Sequence, residues 1–171
     1  FLLPHKELLV FDPATNVSDV SSITGLTGKH KWSAGALADT GLIYYIPRTA
    51  QQGILVVDPV SLAHETFGQA LLLSQLPEGG TAAGGNAWIG AAKGPVNGLI
   101  YGVPHAAPMV LVVDPATNRT DVVSITVSAD SAEMGKWIGA TVAPNGQIFC
   151  TPHSHRYFLI IRSECSRAQS L

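Results

Sequence analysis

Short apolar runs, separated by glycine, proline and Asx-rich turns, recur along this chain in a fixed order. The clearest copy reads W-I-G-A-A-K-G-P-V-N-G-L-I-Y-G-V-P from Trp88 to Pro104, then V-L-V-V-D-P-A-T-N-R-T-D-V-V-S-I-T from Val110 to Thr126. Trp32, Trp88 and Trp137 open three copies, each followed by a pair of small residues: Ala34-Gly35, Gly90-Ala91 and Gly139-Ala140. A turn comes next, at Asp39-Thr40-Gly41, Val96-Asn97-Gly98 and Pro144-Asn145-Gly146. A second apolar run then ends in proline at Pro47, Pro104 and Pro152, and the first residues, F-L-L-P, repeat that ending at Pro4. A third run closes at Asp12, Asp58, Asp114 and Arg162. Trp88 follows Trp32 by 56 positions (88 − 32), and Trp137 follows Trp88 by 49 (137 − 88). Periods of roughly 40–50 residues with several short strands each are characteristic of propeller blades.

The runs are rich in Val, Ile, Leu, Tyr and Phe, as buried strands are. Asn-Gly and Asp-x-Gly supply the positive φ of tight hairpin turns. In Asp-Pro-x-Thr-Asn the carboxylate caps the turn and proline presets φ. Proline and glycine interrupt every candidate helix. The half-polar segments 17–24 and 120–126 suit an outer strand. One unit therefore has four antiparallel strands, a to d outward from an axis. The prediction is an all-β, propeller-like array of about four four-stranded blades, the first and last incomplete, as in part of a larger propeller. The whole of 1–171 forms one domain, with units at about 1–24, 32–68, 87–127 and 136–162. In the second unit the outer strand, A-H-E-T-F-G, is weak. An insertion at 69–86 breaks the period, its leucines tucking under neighbouring units, and 163–171 is a polar tail.

At 46% hydrophobic and 13% charged residues, 171 residues can bury a real core. A formal net charge of −2 speaks against a general nucleic-acid binder, which needs a basic stripe. No apolar run approaches the ~20 residues of a membrane span. Phe1 already lies in a strand, so a processed, truncated or partly represented chain is expected. Cys150 and Cys165 are expected as two free thiols rather than a bridge, although a bridge stays open. Asn16-Val17-Ser18 and Asn118-Arg119-Thr120 are glycosylation sequons that permit, without showing, secretion.

The segment V-L-V-V-D-P-A-T-N-R-T-D-V-V-S-I-T, followed by A-P-N-G-Q-I-F, resembles the YVTN-type β-propeller repeat. That repeat has an I-D-x-x-T-N turn and an S-P-D-G-x-x-hydrophobic hairpin. The resemblance covers roughly 1–68 and 87–162. Tyr-x-x-Pro stands here in place of the Tyr-Val-x-Asn segment, and the repeat is longer. The resemblance implies a blade, not an activity, because propellers host enzymes, receptors and scaffolds alike.

The residue after each strand-b proline is basic or titratable: His5, Arg48, His105 and His153, with His155 beside the last. The b–c loops share one face with the links into strand a, which carry Lys29, His30, Lys31 and Lys136. That face is a candidate anion or acidic-partner surface with histidine pH dependence, against ordinary polar loops. His153-Ser154-His155 would place both rings on one side of a strand. A metal needs more ligands than that, so neither metal nor cofactor is expected. Propeller hydrolases and lactonases commonly hold calcium with inner-strand carboxylates. The inner strands W-S-A-G-A-L-A, W-I-G-A-A-K-G and W-I-G-A-T-V-A carry none. The tryptophans are read as blade packing rather than stacking platforms, and Asp12, Asp58 and Asp114 as turn caps. The reading is a non-catalytic propeller scaffold or protein-interaction module, its open blade edges covered by a protein partner, a further chain or a homo-oligomer. A module binding a small anionic or sugar ligand on the His/Lys face, and a fragment of a propeller hydrolase or lactonase, are the alternatives.

Overall fold

The computed structural model of the chain describes residues 8–26, 31–75, 86–127 and 135–163. Four antiparallel sheets follow one another in chain order. The first is a hairpin of β1 (Val10–Asp12) and β2 (Val17–Asp19). The second is β3 (Trp32–Leu37), β4 (Ile43–Pro47), β5 (Ile54–Val57) and β6 (His64–Phe67). The third is β7 (Trp88–Lys93), β8 (Ile100–Pro104), β9 (Leu111–Asp114) and β10 (Arg119–Asp121). The fourth is β11 (Trp137–Val142), β12 (Gln147–Pro152) and β13 (Leu159–Arg162). Each sheet is a simple meander, complete as a–b–c–d in the second and third, with two described strands in the first and three in the fourth, and this all-β array is the predicted blade architecture.

Side-chain alternation along the strands builds the core between blades. Tyr44, Ile46, Ile54 and Val56 of the second sheet meet Ile100, Leu111 and Val113 of the third. Tyr101, Val103, Val110 and Val112 on the other side of the third sheet meet Ile148, Cys150 and Ile161 of the fourth. Leu8 and Val10 of the first sheet join Leu55 and Val57 of the second. A fully buried aliphatic or aromatic side chain of this size stabilises by about 1.5–3 kcal/mol, so these two-sided sheets carry the fold.

Inner strands β3, β7 and β11 run side by side. Each has a register shift just after its tryptophan. Gly90 (φ +115°) approaches Gly139 (φ +69°) so closely that a Cβ on Gly90 would lie 2.7 Å from the Gly139 backbone. The three indoles do the same job: Trp32, Trp88 and Trp137 donate Nε1–H to the carbonyls of Gly53, Met109 and Tyr157 at 3.1, 3.0 and 2.8 Å. Those bonds tie strand a to the start of strand c, which is the expected packing role.

The turns follow the sequence reading. Gly41, Gly98 and Gly146 have positive φ in the a–b hairpins. Asp12, Asp58 and Asp114 accept bonds from the backbone N–H two residues on, at 2.8, 2.8 and 2.9 Å. Each also accepts the following hydroxyl of Thr15, Ser61 or Thr117. Asn16 and Asn118, the sequon asparagines, sit in these turns at φ +57° and +52°.

Two expectations change. Strand d is shorter than 17–24 and 120–126, because Asp19 and Asp121 stop it. The Asp19 carboxylate accepts the N–H and hydroxyl groups of Ser21 and Ser22, and that of Asp121 accepts the N–H groups of Val123 and Ser124 and the Ser124 hydroxyl; these turns compete with the ladder. The chain regains the sheet only as a bridge between Met109 and Thr126. The insertion, in turn, opens with a helix, α1 (Gln69–Gln75), which the proline and glycine density had argued against. Leu72 is buried on it, whereas Leu71 stays exposed. The weak outer strand of the second unit does form, as β6.

Candidate functional site

The link into strand a and the loop after strand b are joined, blade after blade, by backbone hydrogen bonds. Arg48 N–H donates to Lys31 O (2.8 Å), Ala87 N–H to Arg48 O (2.7 Å), and His105 N–H to Ala87 O (2.9 Å). Lys136 N–H then donates to His105 O and His153 N–H to Lys136 O, both at 2.9 Å. This relay runs across three blades, so Lys31, Arg48, His105, Lys136 and His153 lie in sequence along one end of the array. The local cause is the proline at 47, 104 and 152. It ends strand b and frees the next N–H from its own ladder, so that it pairs with the neighbouring link instead.

The side chains converge around His105. Its ring centroid is 5.6 Å from that of His153. Gly135 lies against both: a Cβ there would be 3.2 Å from His153 Nδ1 and 3.6 Å from His105 Cε1. His105 is only 8% exposed, and its Nδ1 has no hydrogen-bond partner. Burial pushes its pKa below the usual histidine range, and the positive fields of His153, Arg48 and Lys136 push it the same way. Lys136 is buried beside it. Arg48 Nε donates to Asn86 Oδ1. His153 Nδ1 faces Gly135 O and Ser154 Oγ, each at 3.1 Å.

His155 departs from the expected pairing with His153. Residues 153–157 form bends, not a strand, so the two rings diverge. His155 packs on Trp137 at 4.7 Å between centroids, and its Nδ1 accepts the Tyr157 N–H at 3.2 Å. It buttresses the last loop. His5, Lys29 and His30 lie outside the described residues. Sequence reasoning did not foresee Asn86 or Gly135; only proximity in space reveals them. Among the described residues, no group of three or more His, Cys, Asp or Glu could hold a metal.

The b–c loops are cationic, although Asp19 and Asp121 end strand d on the same side. The described b–c loop residues 48–53, 105–110 and 153–158 carry Arg48, His105, His153, His155 and Arg156 and no carboxylate. The a–b and c–d turns at the other end carry Asp12, Asp39, Asp58 and Asp114, with Lys93 paired to Asp39. Cys150 is buried in β12 and its thiol is pushed up to about 12 by burial; Cys165 lies outside the described residues. A separate cleft of about 600 Å³ flanks the outer edge of the second sheet, between Trp32, Gln51, Gln52, His64, Glu65 and Gln69, and neither His105 nor His153 lines it.

No known protein family and no curated protein matches the sequence. Solved structures do match in shape. The chain superposes on virginiamycin B lyase from Staphylococcus aureus with a TM-score of 0.63 and 10% identity, over 94% of this chain and 46% of the lyase. A catalytically inactive histidine-to-alanine form of that enzyme, with quinupristin, gives 0.64 and 9% over the same shares. The extracellular domain of BT4673 from B. thetaiotaomicron, a protein named as a hybrid two component system, gives 0.60 and 13%, over 94% of this chain and 18% of that one. At such identities the likeness shows the fold, a propeller-type repeat array. The chain spans less than half of the length of each of these neighbours.

Proposed function

We propose that this chain is a binding module of YVTN-like propeller blades that engages an acidic group of a protein partner through the end carrying Arg48, His105 and His153. The observation behind this reading is the blade-to-blade backbone relay, which lines these residues up with Lys31 and the buried Lys136 along one end, whose described b–c loops hold no carboxylate. Like-signed groups gathered on one surface raise the local potential and draw an anionic partner, more strongly at low salt. An anion against His105 would offset the positive fields that, after burial, depress its pKa, so binding would be accompanied by proton uptake. For His105 itself, charging occurs below the usual histidine range, so its contribution grows only at a pH lower than the 6–7.5 window of an unperturbed imidazole.

The test is fluorescence anisotropy with a labelled poly-glutamate peptide and, as control, poly-lysine. Wild type is compared with the surface double variant Arg48→Gln/His153→Gln. Selective binding of the acidic probe, weakened about 10-fold or more by the double variant and by added salt, is expected. Equal binding of both probes, or an unchanged affinity in the variant with its melting curve intact, refutes the reading.

One observation favours a second reading, a fragment of a propeller enzyme. A lyase of this fold loses catalysis on a histidine-to-alanine change, and this chain brings His105 and His153 together. Turnover of quinupristin that His105→Ala abolishes would establish it; no turnover by the full-length protein would dismiss it for that substrate.

A further inference from the structure

The repeat makes it possible to ask what each blade face should touch. In the second sheet, Tyr44, Ile46, Ile54 and Val56 point toward the next blade and are buried by it. The strand registers place Tyr101, Val103, Val110 and Val112 at the same positions in the third sheet, and these too are buried by the next blade. In the fourth sheet the matching positions are Phe149, Thr151, Phe158 and Ile160. There Phe158 is 64% and Ile160 46% exposed. At the other end, Leu55 and Val57 have their counterparts in Leu9 and Phe11 of the first sheet, which point away from the second sheet. These are 63% and 55% exposed, where Leu55 and Val57 are buried.

We propose that the two ends meet in a second copy of this chain. The Phe149/Phe158/Ile160 face of one copy packs on the Leu9/Phe11 face of the other, repeating the contact between neighbouring blades, and two such contacts close a ring. Three observations point to a second copy as the occupant. The two uncovered faces are the two complementary halves of an interface that the chain builds three times internally, between its successive sheets. Such a head-to-tail contact is heterologous, so it must either close or polymerise. The chain matches 46% of the lyase whose fold it shares, so two copies amount to 92% of that length (2 × 46). The ring would also bring two sets of Arg48, His105 and His153 to one end. This inference stands on the sheet faces and does not depend on the ligand reading.

The experiment is the solution mass of the full-length protein by light scattering after size exclusion, together with two surface variants. Phe158→Glu/Ile160→Glu spoils one face and Leu9→Glu/Phe11→Glu the other, all at exposed positions. The expected mass is twice that of the single polypeptide. Each variant alone should be monomeric, with association weakened about 30-fold or more, and an equimolar mixture should recover dimer through the one intact interface. Unfolded variants are recognised by circular dichroism, and Ile160→Ser, a milder change, then takes their place. A monomeric wild type overturns the proposal; protection of Phe158 and Ile160 from exchange in that monomer would assign the cover to further blades of the same polypeptide. Open polymers overturn the two-copy ring. Dimerisation of Leu9→Glu/Phe11→Glu alone overturns head-to-tail packing.

Discussion

Replacing Gly90 by alanine tests the central claim that the inner strands are held at backbone contact. Two costs are expected together. The residue has φ +115°, which an L side chain adopts only with strain; that costs about 1–3 kcal/mol. The added Cβ would also lie 2.7 Å from both N and Cα of Gly139 and 3.1 Å from Val103 Cγ2. Two of these neighbours are backbone, so the blades themselves must separate, and overpacking of this kind costs about 1–3 kcal/mol. The sum is about 2–6 kcal/mol, a large share of the ~5–15 kcal/mol that holds a typical domain together. Gly139→Ala is the matched control. It has positive φ (+69°), but nothing lies within 4 Å of its Cβ, so only the left-handed cost of about 1–2 kcal/mol applies. Urea unfolding of both variants at 25 °C, followed by tryptophan fluorescence, gives the two free energies. If Gly90→Ala is no more destabilising than Gly139→Ala, the crowding argument fails.

Asp114→Ala should cost about 0.5–2 kcal/mol in thermal or urea unfolding, as lost caps do, and leave binding of an acidic probe unchanged; lost binding at full stability would contradict its structural role. Asn118→Ala should cost more than Asn16→Ala in the same assay, because Asn118 Oδ1 also accepts the buried Tyr44 hydroxyl at 2.8 Å; the shared part, about 1 kcal/mol, is the left-handed backbone. His105 is harder to protonate in the folded state than in the unfolded chain. Its contribution to stability is therefore fully present above pH ~6.5 and is lost as the pH falls through its depressed folded value. His105→Gln should flatten the acid limb of a stability–pH curve measured by chemical denaturation; an unchanged slope would remove His105 from that transition.

The blade was legible in the sequence because its determinants are local. An Asn-Gly or Asp-Pro turn, a run of four or five apolar residues and a terminal proline each act within a few positions, and repetition fixes their register. The positions of Arg48, His105 and His153 could be aligned for the same reason: the same offset from the same proline places them at the same height. Other features depend on which surfaces meet. Asp19 and Asp121 stop strand d through bonds to Ser21, Ser22, Val123 and Ser124, a competition that alternation alone does not expose. Leu62 takes the left-handed turn position that Asn16 and Asn118 fill elsewhere, and its packing against the cluster of Leu55 and Val57 is the compensation available to it. The insertion became the helix α1 with Leu72 buried in the core between the second and third sheets, a docking surface that exists only once those blades have formed. The divergence of His153 and His155 was decided in the same way. One ring lies against His105 from the preceding blade and the other against Trp137 of its own, and neither contact is encoded by their two-residue spacing.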